Sequence, residues 1–169
     1  GTHFDVPTHP ACRTHFERGL TYGRQAKDRI HRSLQNYKET YLAYAGLTWS
    51  EACKAATRYE APIRELDPNL MDEICGISVG ADLEISDVLS MNCRTEIMFE
   101  GLARLKVAGQ SIPSCPPAEC TTFAAMPHRT AAGNTLLGQN WDWMDFAKDT
   151  LVVLEVEQAD LPNFITVVE

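Results

Sequence analysis

The chain changes its hydrophobic rhythm once, near residue 120. Before that point apolar residues recur at steps of three and four. Phe16, Leu20, Gly23, Ala26, Ile30, Leu34, Tyr37 and Tyr41 trace one face of a single long amphipathic helix ending near Gly46. Thr14 followed by Glu17 is a capping-box signature at its start. Thr48 with Glu51 repeats that signal, and Ala52, Ala55, Tyr59 and Ile63 continue a second helical face. Asp67-Pro68 reads as an N-cap and first-turn proline, with Leu70, Ile74 and Ile77 behind it. Gly76 and Gly80 are expected to weaken or end that helix, and Ser86 starts a fourth, short one through Met91. Residues 101–119 read as a connector, because Pro113, Pro116 and Pro117 remove donors and disfavour helix.

Beyond residue 120 the pattern is that of strands. Thr121–Met126 and Thr135–Trp143 are predicted to pair as a hairpin across a turn at Arg129–Asn134, where Gly133-Asn134 tolerates positive φ. Leu151–Glu157 alternates apolar residues with acids and is a third strand; Phe164–Val168 is a fourth, after the Pro162-Asn163 turn. The expected class is α+β: residues 1–119 form a helical segment with its connector, and 120–169 begin a β-rich unit. The start without a Met and the end inside an apparent strand read as the bounds of a fragment.

Composition narrows the function. With 44% hydrophobic and 22% charged residues the chain is globular. A net charge of −8 argues against a nucleic-acid partner, since phosphate binding needs a basic surface. The basic group Arg24, Lys27, Arg29 and Arg32 reads as a solvated helix face. No run approaches the roughly 20 apolar residues of a membrane span, and no segment reads as a secretory signal. The expected location is therefore intracellular. The cysteines Cys12, Cys53, Cys75, Cys93, Cys115 and Cys120 are scattered without paired ligand spacing, so they read as reduced thiols and not as a metal site.

The candidate chemistry sits at the change of rhythm. Cys120, in Ala118-Glu119-Cys120-Thr121-Thr122, follows the proline-rich connector and opens the first strand. A self-cleaving precursor would place its nucleophile there. Attack by Cys120 on the Glu119 carbonyl, then hydrolysis of the thioester, would leave Cys120 with a free α-amine. An α-amine of ordinary pKa near 8 can serve as the thiol's own base. Asp142, in Gly138-Gln139-Asn140-Trp141-Asp142-Trp143, falls near the same open end of the hairpin and could bond that amine. Asn140 faces the same way as Asp142 and could donate an amide hydrogen bond. Trp141 and Trp143 read as core or pocket wall, His128 as surface, and Arg94 with Glu96 as a buried pair shaping a pocket.

Cys120-Thr121-Thr122 with Gly138-Gln139-Asn140-Trp141-Asp142 resembles the acyl-coenzyme A:6-aminopenicillanic acid acyltransferase (isopenicillin-N acyltransferase)-like family of N-terminal nucleophile hydrolases. Met91-Asn92-Cys93-Arg94-Thr95-Glu96 and Phe16-Glu17-Arg18-Gly19 are similar to further stretches of that family. The resemblance implies an αββα sandwich, of which only the front part is present, preceded by a helical region. It implies that Cys120 is the autoproteolytic and catalytic nucleophile and Asp142 an active-site carboxylate, with Asn140, Thr121, Thr122, Arg94 and Trp141 as substrate or oxyanion candidates. It implies cleavage between Glu119 and Cys120 into a heterodimer, the helical segment pairing with its own C-terminal portion. The substrate would be a small N-acyl amine or amino-acid derivative. No cofactor is expected beyond a coenzyme A thioester as acyl donor, and the location would be cytoplasmic or peroxisomal. Glu119 stands where the penicillin enzymes carry Gly, and the family's downstream oxyanion Asn would lie past Glu169. A non-catalytic or unprocessed binding module on the same scaffold is the alternative.

Overall fold

The computed structural model describes residues 14–111, 120–158 and 161–169. Its elements are helices α1 (His15–Gln25), α2 (Lys27–Ala45), α3 (Trp49–Ala56), α4 (Glu60–Leu66), α5 (Pro68–Ala81), α6 (Ile85–Asn92) and α7 (Arg94–Val107). Strands β1 (Cys120–Ala125), β2 (Leu136–Trp141), β3 (Val152–Val156) and β4 (Phe164–Val168) follow. The class is α+β.

Both predicted capping boxes form. The Thr14 and Thr48 hydroxyls accept from the amides of Glu17 and Glu51, whose carboxylates accept in return from the threonine backbone amides. Asp67 caps α5 by accepting from the Asn69 amide at 2.9 Å, with Pro68 in the first turn. Gly46 closes α2 in the left-handed region at φ 62, where a side chain would be strained.

The single long helix expected over residues 16–45 is two helices, broken at Ala26, whose ψ of 10° leaves the helical range. Periodicity missed the break because Ala26 and Ile30 both still face inward, packed with Ala81 in a small cluster of their own. Gly76 and Gly80 do not end α5. They face Gly19 and Gly23 of α1, and the two helices meet backbone to backbone: a Cβ on Gly76 would lie 2.2 Å from the Phe16 carbonyl oxygen. Nor is the stretch from 101 a connector throughout, since α7 carries on to Val107. Gly101 lies within that helix, pressed against Ala45. The prolines that suggested a connector lie outside the described residues, as do Cys12 and Cys115.

The helices enclose the main core, built on Tyr37, Tyr41, Met71, Leu89 and Ile97. The strands form two separate antiparallel hairpins, β1–β2 and β3–β4. In the turn between β1 and β2, Gly133 takes φ 68 as its neighbours predict. Trp143, Met144 and Phe146, just past β2, insert into the helical core and anchor the first hairpin. The rest of that hairpin is open, with Phe123, Leu136 and Leu137 exposed; Ile165 and Val167 are exposed on the second. Among the described residues no helix is long and apolar enough to cross a membrane.

Candidate functional site

The β1–β2 ladder is in register from Cys120↔Trp141 to Ala125↔Leu136. Directly opposed residues share a face, so Cys120 and Thr122 stand with Trp141 and Gln139, while Thr121 and Phe123 stand with Asn140 and Gly138. The Phe123 ring covers Gly138 so closely that a Cβ there would lie 2.2 Å from the ring. Asp142 follows the cross-strand partner of Cys120 by one residue, at the same end of the hairpin, and is exposed. Cys120, Trp141 and Asp142 thus gather at one end. Asn140 pairs with Thr121 on the face away from the Cys120 side chain. Glu119 lies outside the described residues.

Cys120 is a free, exposed thiol, and the other described cysteines differ from it. Cys93 is buried, and burial, with the Glu96 carboxylate adding to it, pushes its thiol up to about 11. Burial also raises Cys53 above the ordinary thiol range. Neither is a ready thiolate at neutral pH.

The hairpin end connects to the helices through stacked indoles. Trp141 and Trp143 lie with ring centroids 6.5 Å apart and planes at 10°. The Trp143 indole N–H donates to the Tyr37 hydroxyl at 2.8 Å, and that hydroxyl donates to Glu169 Oε1. Burial drives the Tyr37 phenol well above its usual range, and the nearby Glu169 charge contributes in the same direction.

Arg94 completes this cluster. Its guanidinium lies over the rings of Tyr37 and Trp143, at 5.6 and 5.5 Å, pairs with Glu169 Oε1 at 3.2 Å, and donates to the Met91 carbonyl at 3.1 Å. The expected Arg94–Glu96 pair is therefore corrected: Glu96 is exposed, and the partner is Glu169. Alternation around a short helix could not reveal a partner 75 positions away at the end of a strand.

The basic group on α1 and α2 is partly engaged. Lys27 pairs with Asp82, and Arg29 donates to the Leu151 carbonyl at 2.6 Å, tying α2 to the second hairpin. His128 is exposed, in the short 3-10 turn after β1. Sequence reasoning overlooked Ser33, whose signal was a polar residue between Ile30, Leu34 and Tyr37 on an otherwise apolar face.

These features define an α+β chain whose strand region opens on a free, exposed cysteine, with a carboxylate at the same end of the hairpin and tryptophans anchoring that end to a helical body. No family model matches it. Among curated proteins it is similar to the acyl-coenzyme A:6-aminopenicillanic-acid-acyltransferase 40 kDa form of Emericella nidulans, at 28% identity over 169 residues, 95% of this chain and 41% of that relative. The chain spans less than half the length of the relative it matches, and the two are related, weakly, at the level of a family.

Proposed function

We propose that this chain is the front portion of a self-processing cysteine amidohydrolase or acyltransferase of the N-terminal nucleophile class. The observation that carries this reading is the place of Cys120: a free, exposed thiol on the first residue of β1, with Asp142 just past its cross-strand partner. The similarity to an acyltransferase supports acyl chemistry in particular.

In processing, the Cys120 sulfur attacks the Glu119 carbonyl carbon. A C–S bond forms, the Glu119–Cys120 C–N bond breaks, and the thiol proton passes to the departing amine. Water then cleaves the thioester, releasing the Glu119 carboxylate and the Cys120 thiol. In turnover the freed α-amine, hydrogen-bonded by Asp142, takes the thiol proton as sulfur attacks an acyl carbonyl. The leaving amine or thiol takes that proton, and water or an amine acceptor resolves the acyl-enzyme. Thr122 and Trp141 share the face of the Cys120 thiol and serve as a candidate hydrogen-bond partner of substrate and a pocket wall, whereas Asn140 and Thr121 lie on the opposite face of the hairpin. The substrate class is a small N-acyl amine or amino-acid derivative, with a coenzyme A thioester as a fitting donor.

The processed enzyme would be a heterodimer of the helical segment and the portion from Cys120 onward, in a cytoplasmic or peroxisomal setting that keeps the thiol reduced. The exposed apolar residues of both hairpins support completion of an αββα sandwich by further strands. Intact mass spectrometry of the full-length protein tests the reading. Cleavage before Cys120, lost together with amidase and acyl-transfer activity in Cys120→Ala, is expected. An uncut wild type whose properties Cys120→Ala leaves unchanged would instead make the chain a binding module.

A further inference from the structure

The described residues hold four buried side-chain nitrogen or oxygen atoms without a hydrogen-bond partner: Tyr22 Oη, Ser33 Oγ, Arg94 Nε and Glu169 Oε2. All four belong to residues lining one cavity of about 340 Å³ between the helices and the β3–β4 hairpin. Its walls are mainly apolar, with Ile30, Ile74, Ile77 and Met91 from the helices and Leu154 and Val168 from the hairpin. Buried polar atoms are ordinarily satisfied, and each orphan is destabilising. Four around one space indicate something that enters it. The volume is at the small end of ligand pockets, roughly 300–1,000 Å³, and a mostly apolar wall with a few convergent polar groups is the usual character of such sites.

The chemistry of the four atoms selects the ligand. The ionised groups lining the cavity are paired, Arg94 with Glu169 and Glu73 with Arg18, so a free carboxylate or ammonium would find no net opposite charge. The first pair leaves a spare donor at Arg94 Nε and a spare acceptor at Glu169 Oε2, on side chains 26% and 4% exposed. Ser33, 2% exposed, and Tyr22 add hydroxyls that can act either way. We infer that this cavity binds an uncharged amphipathic molecule, an apolar body carrying one head group with an acceptor beside a donor, for which a carboxamide on an aliphatic chain is the simplest form. The site does not require Cys120 to be a nucleophile, and it goes beyond the reading above.

The test measures binding by calorimetry and tryptophan fluorescence to the full-length protein carrying Cys120→Ala, so that covalent turnover is absent and a failure of the thiol mechanism leaves this result standing. The probes are hexanamide, whose primary amide carries an N–H beside its C=O, hexanoate and hexylamine. The amide is expected to bind at least tenfold more tightly than either charged probe. Arg94→Lys, which keeps the cation and loses Nε, should weaken it about tenfold, and Ser33→Ala severalfold. Val168→Phe, which fills the space from the strand side, should abolish it. Thermal melts identify a variant that fails to fold; Ser33→Ala, which removes an unpartnered hydroxyl, should melt no lower than wild type and so keeps the inference testable. Absence of amide binding, equal binding of the charged probes, or affinity unchanged in the folded variants would overturn it.

Discussion

Adding one methyl group to Gly19 should unfold more of this protein than its size suggests. The new carbon would lie 2.1 Å from the Glu73 carbonyl oxygen and 3.0 Å from the Ile77 amide nitrogen. Both atoms belong to the α5 backbone and cannot swing aside. Restoring an ordinary contact of 3.4 Å means parting the helices by about 1.3 Å along the crossing. Overpacking of this kind is destabilising by about 1–3 kcal/mol, and rigid backbone on both sides favours the upper end. Against this, alanine is preferred to glycine inside a helix by about 0.8–1.0 kcal/mol. The two effects have opposite signs, so the experiment decides between them. Gly19→Ala in the full-length protein, followed by helical circular dichroism in urea, should lose about 2 kcal/mol. The melting temperature should fall with it. Gly76→Ala, whose methyl would lie 2.2 Å from the Phe16 oxygen, should behave alike. The double variant should cost less than the sum, because helices already parted accept the second methyl. Gly109→Ala is the control: φ +67 with nothing within 4 Å makes its cost one of backbone strain alone, about 1 kcal/mol. A Gly19→Ala protein more stable than wild type would refute the close crossing.

Asp142→Asn should slow processing or turnover by about 100-fold or more if Asp142 holds the new amine, read as the time course of cleavage and the pH–rate profile. Trp143→Phe removes the donor to the Tyr37 hydroxyl and should cost about 1 kcal/mol in urea unfolding. Thr48→Ala, which removes the α3 cap, should cost a similar amount by the same measurement. Burial, reinforced by the Glu169 charge, pushes the Tyr22 phenol up to about 12 from 10.0, so the folded state favours its neutral form. That contribution is complete below pH 10 and is lost as pH rises from 10 towards 12; Tyr22→Phe should flatten that part of the stability curve.

The helical half was legible wherever the cause was local. Thr14 with Glu17, Thr48 with Glu51 and Asp67 with Pro68 each place a cap from residues within one turn. The hairpin was legible for a similar reason: Gly133 sets the turn, and the strands pair outward from it. What stayed hidden depended on distant partners. Gly76 and Gly80 read as helix breakers because the sequence does not show that Gly19 and Gly23 face them. Arg94 was picked out, but its counterion sits at the end of β4. Ser33 was passed over because a polar residue on an apolar face gains meaning only once a cavity lies in front of it. That Cys120 and Asp142 fall at one end of the hairpin was legible because the ladder runs outward from a local turn.

The register of β1 and β2 bears on the timing of the cleavage proposed before Cys120. Every cross-strand pair from Cys120↔Trp141 to Ala125↔Leu136 lies on the C-terminal side of the bond before Cys120. Cutting that bond would remove no rung of the ladder and shift none. If Cys120 is cut free as proposed above, the hairpin is in place before the cut, which would be a change of chemical state without a change of fold. Circular dichroism taken through the reaction should stay flat while the mass spectrum splits in two. A spectral change keeping pace with cleavage would mean that the hairpin assembles only afterwards.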